Sequence, residues 1–479
     1  PPPPPPLPPM FIEHPCDHFD AERWNCTFQH KYFIDDHAWK GASNADAMIT
    51  FIPGGESAMG GMYNYEILRE LAYSRGGIVI TMEHRFYGDS IPGGPDVKVA
   101  NMGLLTIEQA MADYADLISR TRAKYECPHC PVVAGGGSYS GKLAAYMRLK
   151  YPSIVDMALA ASAPVFLDSP GFDNSYRYYE IVTNATRKLS PKCPEAVRAA
   201  IATLLASDSI TITQELNLCE PLDTVYGAGK GELLQRIMNQ FADTAMGNYP
   251  PSNSPITAEC KNLLSAPHGS LRSLRLFLDD RYKFVAGVGL EVPNLSVPEP
   301  PCYNLTSARA AGPHGHVVCS DWSGCGAGLN AEIWDYQACT EVIQPLGTNN
   351  KTDMFWPREW TLKWQTDHCM SRFNAKPLRN GKWLAHTMGL DSLFAKQPAG
   401  FSRVIWSNGM QDPWSAGGVL DDIGETLIAI KMENGAHHVD LRPAEPTDTA
   451  DVILARKRER EILTGWLEQA SLERRPLKP

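Results

Sequence analysis

The sequence predicts an α/β fold in which a mostly parallel sheet, covered by helices, is interrupted by a long helical insertion. Three observations carry this. Short continuous apolar runs alternate with helical patterns in the first part of the chain, buried-strand patterns then stop recurring, and strand signals return towards the C-terminus. A continuous apolar run four to eight residues long is the pattern of a strand buried on both faces, as in a parallel sheet.

The chain opens with PPPPPPLPP, and residues 1–10 read as an extended Pro-rich tail. No charged-then-apolar leader stands there, so any targeting peptide is expected to have been removed. Strands are expected at Ala47 to Ile52, Ile78 to Met82, Pro131 to Ala134 and within Val155 to Val165. Between them, Ile107 to Arg120 has helical spacing, with Thr106 as its N-cap. Residues 1–165 are therefore read as the first part of the core. From 166 to 339 amphipathic patterns such as Glu232 to Met246 and Ser270 to Phe284 dominate, which suggests a helical cap. Residues 340–479 are read as the rest of the core, with strands at Arg403 to Trp406 and Thr426 to Met432 and a closing helix from Asp451 to Leu467.

Composition restricts the partners. The 479 residues are 43% hydrophobic, and 44 basic against 54 acidic residues give a net charge of −10, which repels phosphate backbones and anionic membranes. No nucleic acid or membrane partner is expected, and no apolar run reaches the roughly 18 residues of a membrane span. The 12 cysteines are scattered in a way that suits disulfides. Sequons at Asn25, Asn184, Asn294, Asn304 and Asn350 also point to the secretory pathway.

The chemistry centres on Gly135-Gly136-Gly137-Ser138-Tyr139-Ser140-Gly141, which follows a strand and precedes the helical stretch Lys142 to Lys150. That is the setting of a nucleophile elbow, where small residues flank a serine lifted above the sheet edge. The usual pattern is G-x-S-x-G, and here Ser140 takes the second glycine's place. A serine hydroxyl needs a neutral imidazole to accept its proton and a carboxylate to orient that imidazole. In an α/β-hydrolase these follow in the order Ser, acid, His. Asp412 and His437 each stand just past a late strand. Asp421 and Asp422 are alternatives for the acid, and His438 for the base. The oxyanion donors are expected to be the backbone N–H groups of Tyr139 and Gly55. Trp414, next to the candidate acid, is a candidate substrate-binding wall.

The strings GGSYSG, EHRFYG, LLTIEQAMADYADLI, ALAASAPV, WDYQACTE, SNGMQDPWSAGGV and GAHHVDLR resemble the serine peptidases typified by lysosomal prolyl carboxypeptidase and dipeptidyl peptidase II. The resemblance runs from about Phe28 to Glu461. It implies an α/β-hydrolase core with a helical cap, cleavage after proline at acidic pH in a lysosome-like or secreted setting, and a homodimer. It puts nucleophile, acid and base on Ser138, Asp412 and His437. The segments around Asp321, Asp335 and Asn349 look more like the dipeptidyl peptidase branch. The leading expectation is accordingly release of N-terminal X-Pro or X-Ala dipeptides, with Asp335 holding the free amine and Glu56 as second candidate. Alternatives are a carboxypeptidase removing the residue after proline, an esterase or lipase, and an inactive binding homologue. Two departures stand out: Lys142 replaces a Met common near the proline pocket, and Pro53-Gly54-Gly55-Glu56 replaces Gly-Asn-Glu. Arg85 is expected to be a structural ion-pair partner. No metal or other cofactor is expected: His314 and His316 have no ligand companions at suitable spacing, and Cys127-Pro-His-Cys130 precedes a strand where a thioredoxin-type redox motif would precede a helix.

Overall fold

Among the described residues, eight strands form one sheet: β1 (Met10–Pro15), β2 (Thr27–Asp35), β3 (Ile49–Pro53), β4 (Ile78–Met82), β5 (Val132–Gly137), β6 (Met157–Ala161), β7 (Val404–Gly409) and β8 (Leu427–Met432). The computed structural model describes residues 7–474 except 21, 23, 95–101, 170, 220, 223–228, 285–301, 303–328 and 399. Spatial order is β1-β2-β4-β3-β5-β6-β7-β8. Pairing is antiparallel from β1 to β2 and from β2 to β4, and parallel throughout the rest. The mostly parallel α/β sheet is therefore present.

The parallel strands β3, β4, β5 and β6 are buried at every position, which is why continuous apolar runs identified them. The first two strands did not show up that way. In β1 and β2 apolar residues alternate with Glu, Gln, His and Lys, and burial alternates too. Residues 1–6 lie outside the described residues, and Met10, expected in the tail, opens β1.

Helices α1 (Glu66–Ser74), α2 (Ile107–Lys124) and α3 (Ser138–Lys150) alternate with the early strands. The Thr106 side chain accepts a hydrogen bond from Gln109 N, the expected N-cap of α2. After β6 come α4 (Arg177–Leu189), α5 (Cys193–Ala206), α6 (Ser209–Glu215), α7 (Gly229–Met246), α8 (Pro255–Ser265) and α9 (Leu271–Phe284). Residues of α4, α5, α7, α8 and α9 share a separate apolar cluster that includes Val182, Val197, Ile237, Phe241 and Leu263. Then follow α10 (Leu329–Thr340), α11 (Leu362–Phe373), α12 (Trp383–Met388) and α13 (Leu390–Phe394) before the sheet resumes at Val404. Trp334, Leu384 and Leu393 from this second group pack with the sheet residues Phe51, Ala134 and Trp406. The final helix is α14 (Ala450–Arg474).

Disulfides join Cys16–Cys26, Cys127–Cys130, Cys193–Cys260, Cys219–Cys302 and Cys339–Cys369. Cys193–Cys260 clamps α5 to α8, and Cys339–Cys369 clamps α10 to α11. Cys319 and Cys325, Asn294 and Asn304, His314, His316 and Asp321 lie outside the described residues. Asn25, Asn184 and Asn350 are exposed. Among the described residues no helix is long and apolar enough to cross a membrane.

Beside the sheet's C-terminal edge, Arg85 is fully buried and holds Asp113 through Nε at 2.7 Å and Nη2 at 2.8 Å. It also donates to the Cys16 and Leu104 carbonyls. This is the ion-pair partner expected of Arg85, and it ties β4 to α2 and the N-terminal segment.

Candidate active site

The turn from β5 into α3 is where the sequence signal is strongest. Ser138 has φ +58°, a left-handed conformation that costs a non-glycine residue about 1–3 kcal/mol. Its neighbours make that turn possible. A Cβ on Gly136 would lie 2.2 Å from Ser140 Oγ, and one on Gly141 would lie 2.8 Å from the Gly136 carbonyl oxygen. Position 140 does tolerate a side chain, because the Ser140 hydroxyl donates to the Pro53 carbonyl at 2.6 Å. The departure from G-x-S-x-G thus adds a link from the elbow to β3.

Tyr139 follows at the second position of α3, where a backbone N–H has no acceptor within the helix. Its side chain is locked by a chain of side-chain hydrogen bonds. His84 Nδ1 donates to the Arg85 carbonyl at 2.8 Å, so the neutral ring accepts at Nε2 from the Tyr139 hydroxyl at 3.1 Å. Burial holds His84 down at about 4, in keeping with a neutral ring. Gln337 Nε2 donates to the Tyr139 oxygen at 2.9 Å, and the Tyr87 hydroxyl donates to Gln337 Oε1 at 2.6 Å. The elbow is thereby connected to β4's following loop and to α10.

Gly54 donates its N–H to the Met82 carbonyl at 2.8 Å and has no room for a Cβ, which would meet that oxygen at 2.4 Å. The Gly55 N–H makes only a long contact of 3.5 Å with the Tyr63 hydroxyl.

Asp412 is fully buried, and its two oxygens have separate tasks. Oδ1 accepts from the Trp414 N–H at 3.1 Å, capping the short turn Pro413–Gly417. Oδ2 lies 2.8 Å from His437 Nδ1. An ionised carboxylate only accepts, so Nδ1 carries the proton and a neutral His437 presents an unprotonated Nε2. His438 differs: burial holds it well below the usual histidine range, and its Nδ1 has no hydrogen-bond partner. Its ring packs against Gly137, where a Cβ would approach to 2.7 Å. Asp421 and Asp422 contact Lys396, Lys431 and Ala429 N and not His437.

Ser138, His437, His438, Glu56, Tyr139 and Trp414 line one cavity of about 320 Å³, within the ordinary range for small-ligand sites. The cap contributes Asn239, Ala242, Asp243 and Met246 from α7, and Tyr178 and Tyr179 from α4. Trp414 meets Tyr178 edge to face at 4.9 Å. Burial raises the Glu56 carboxyl above its usual range, and its own backbone N–H, His437 and Lys142 offset this in part.

Asp335, the expected amine anchor, is not among the described residues that line this cavity. It is fully buried, 3.1 Å from His368 Nε2 and 3.2 Å from Arg372 Nε. Successive residues of a helix point about 100° apart, so Trp334 lines the cavity while Asp335 faces α11. The Cys339–Cys369 bond holds those two helices together. Spacing alone could not distinguish these faces. Sequence reading also missed Lys142 as half of a buried ion pair with Asp168 beside the cavity; the partner lies 26 residues away, after the next strand.

Among the described residues, two groups bring metal-ligand side chains close together. In one, Cys339 is consumed by its disulfide. In the other, His14, His30 and Asp113, the carboxylate is already held by Arg85. Neither offers a free ligand set.

The fold and elbow define a serine-type hydrolase of the α/β-hydrolase class. Residues 14–459 match the family described as Serine carboxypeptidase S28, and the chain belongs to that family. It is 32% identical to a Lysosomal Pro-X carboxypeptidase of Mus musculus over 96% of this chain and 89% of that protein. It is 30% identical to the Lysosomal Pro-X carboxypeptidase of Homo sapiens over 96% and 88%. A Thymus-specific serine protease of Homo sapiens is 26% identical over 93% and 84%. The chain is a serine-type peptidase.

Proposed function

We propose that this peptidase is a carboxypeptidase that releases the C-terminal residue following proline, by way of an acyl-enzyme on Ser138. In this reading His437 Nε2 takes the Ser138 proton and returns it to the leaving amine, Asp412 orients the imidazole, and the N–H groups of Tyr139 and Gly55 receive the oxyanion. Trp414 and the tyrosines of α4 form apolar walls suited to a proline ring.

The observation that carries the carboxypeptidase reading over the dipeptidyl one is the position of Asp335. The carboxylate expected to hold a substrate's free amine is occupied by Arg372 and His368 away from the cavity. Relatives named Pro-X carboxypeptidase point the same way. A second reading, release of N-terminal dipeptides, draws on Glu56 and Asp243, two carboxylates that line the cavity and suit an ammonium.

Peptides blocked at either end separate the two. Acetyl-Ala-Pro-Phe offers only a free carboxylate, and Ala-Pro-Phe-amide only a free amine. Release of Phe from the first supports the proposal; dipeptide release confined to the second overturns it. Lysosome-like or secretory residence is proposed on the relatives' names, the disulfides and the exposed sequons. The homodimer is likewise a proposal, to be tested by sedimentation.

A further inference from the structure

We propose that Lys142 is a specificity-determining residue that receives a carboxylate of the substrate, taking it in exchange for its resident partner Asp168. The inference rests on the carboxypeptidase reading and adds to it a named receptor. Lys142 lines the cavity and stands one helical turn beyond Ser138 on α3. Ser138 lines the same cavity. A peptide advances about 3.8 Å between successive Cα atoms. A carboxylate held on the Lys142 ammonium therefore belongs to the immediate neighbourhood of the scissile bond. Two sources fit: the C-terminal carboxylate of a single leaving residue, or an acidic side chain on the residue whose carbonyl is attacked.

The charges around the cavity support this. Among the described lining residues Lys142 is the one ammonium or guanidinium, while Glu56 and Asp243 are carboxylates and repel an anion. The Lys142 side chain is 2% exposed and that of Asp168 1%, and the two are hydrogen-bonded. An unpaired buried ammonium is costly. Exchange of one carboxylate for another leaves it paired in both the free and the substrate-loaded enzyme, which simple removal of Asp168 would not.

Exchange requires Asp168 to take a proton from solvent and give up its charge. Burial raises Asp168 to about 6, against the pull of Lys142. The other groups facing the pair are Tyr146 and Glu341 on the Asp168 side and Glu56 on the Lys142 side. Burial raises both Tyr146 and Glu341 well above their ordinary values, so neither adds charge in acid. His437 stands beside Glu56. Above this range Asp168 keeps the ammonium; below it, protonated Asp168 releases it to an anion.

The test compares acetyl-Ala-Pro-Phe with its C-terminal amide, and acetyl-Ala-Glu-Phe with acetyl-Ala-Gln-Phe, in the full chain and in two variants. Asp168→Asn removes the competing charge. Lys142→Met with Asp168→Asn removes both partners and leaves no orphaned ion. Rates are normalised to the fraction of Ser138 labelled by a fluorophosphonate, which excludes unfolded enzyme from the comparison. The free acid should be preferred at pH 5 by about tenfold to a hundredfold in kcat/KM, the scale of one charge-assisted hydrogen bond. The double variant should lose that preference, and Asp168→Asn should carry it up to pH 7. Loss of the Glu-over-Gln preference, with acid over amide retained, supports carboxylate binding from the side-chain source. Retention of both preferences in the double variant overturns the proposal even if single residues are still released. Dipeptide release from free-amine peptides alone overturns the carboxypeptidase reading instead, and Lys142 is then tested by comparing Ala-Glu-Phe-amide with Ala-Gln-Phe-amide.

Discussion

The backbone N–H of His437 donates to the carbonyl of Met246 at 3.1 Å. Met246 is the last residue of α7, so the loop carrying the proposed base is held by the cap as well as by the sheet. The Met246 sulfur also accepts from Trp414 Nε1 at 2.9 Å, and Asn248 Nδ2 donates to Gln411 Oε1 at 2.6 Å, next to Asp412. Cap and proposed triad are thus one mechanical unit.

That linkage can be broken at Asn248. Asn248→Ala leaves the buried Gln411 amide without its partner and should cost about 1–3 kcal/mol of stability. Because Gln411 precedes Asp412, kcat should fall more than KM rises. Thermal denaturation and steady-state kinetics check both, and an unchanged kcat would mean that the cap contact does not position the acid.

The orientation of His437 is tested by Asp412→Asn. An amide in place of Oδ2 can donate to Nδ1 and so stabilise the wrong tautomer, and loss of about 10⁴-fold in kcat is expected with the fold intact. Ser138→Ala should lower turnover by a comparable or greater factor. Turnover close to that of the native chain in either variant would move the triad elsewhere.

The elbow leaves no space at Gly136. Gly136→Ala places a methyl 2.2 Å from Ser140 Oγ, and overpacking of this kind costs about 1–3 kcal/mol. Fluorophosphonate labelling of Ser138 should slow markedly, whereas Ser140→Ala, which removes only the hydrogen bond to Pro53, should cost about 0.5–1.5 kcal/mol and leave labelling measurable.

Asp335 is expected to matter for stability and not for substrate choice. Asp335→Asn uncouples the Arg372 guanidinium and the His368 ring from a buried carboxylate, and breaking a buried ion pair costs about 3–5 kcal/mol where both partners are buried and less here, since His368 and Arg372 are partly exposed. The ratio of rates on N-blocked and free-amine peptides should not change.

Stability should also depend on pH through Glu459. Burial, then Asp440, raises its carboxyl well above the usual value of 4.5. The folded chain therefore keeps a proton that the unfolded chain releases above that value, so this contribution is present in acid and declines as pH rises from about 4.5. Buried histidines act in the opposite direction. His30 is held at about 3 and His84 at about 4 by burial, so their contribution is present above 6.5 and is lost as pH falls towards those values. Glu459→Gln should flatten the decline in Tm between pH 5 and pH 8; an identical slope would mean that the buried carboxyl is not protonated.

The contrast between strands shows what could be read in advance. β3 to β6 were legible because burial on both faces demands continuous apolar residues. β1 and β2 were not, since these two antiparallel strands on one side of the sheet carry Glu13, His30 and Lys31 among their apolar residues. The cap was expected to end at residue 339, and the helices from there to Phe394 precede the return of the sheet; helical periodicity does not say which apolar surface a helix covers.

By itself the sequence determined the α/β class and the sharp strand-to-helix turn at Ser138, and it supplied the proposed triad of Ser138, Asp412 and His437, because each depends on local pattern and on position after a strand. Tertiary structure alone decided that Asp335 faces Arg372, that Lys142 is paired with Asp168, and that Met246 holds the His437 loop. Those contacts join residues far apart in the chain, and which face of a helix meets which neighbour is set by packing, which local spacing does not encode.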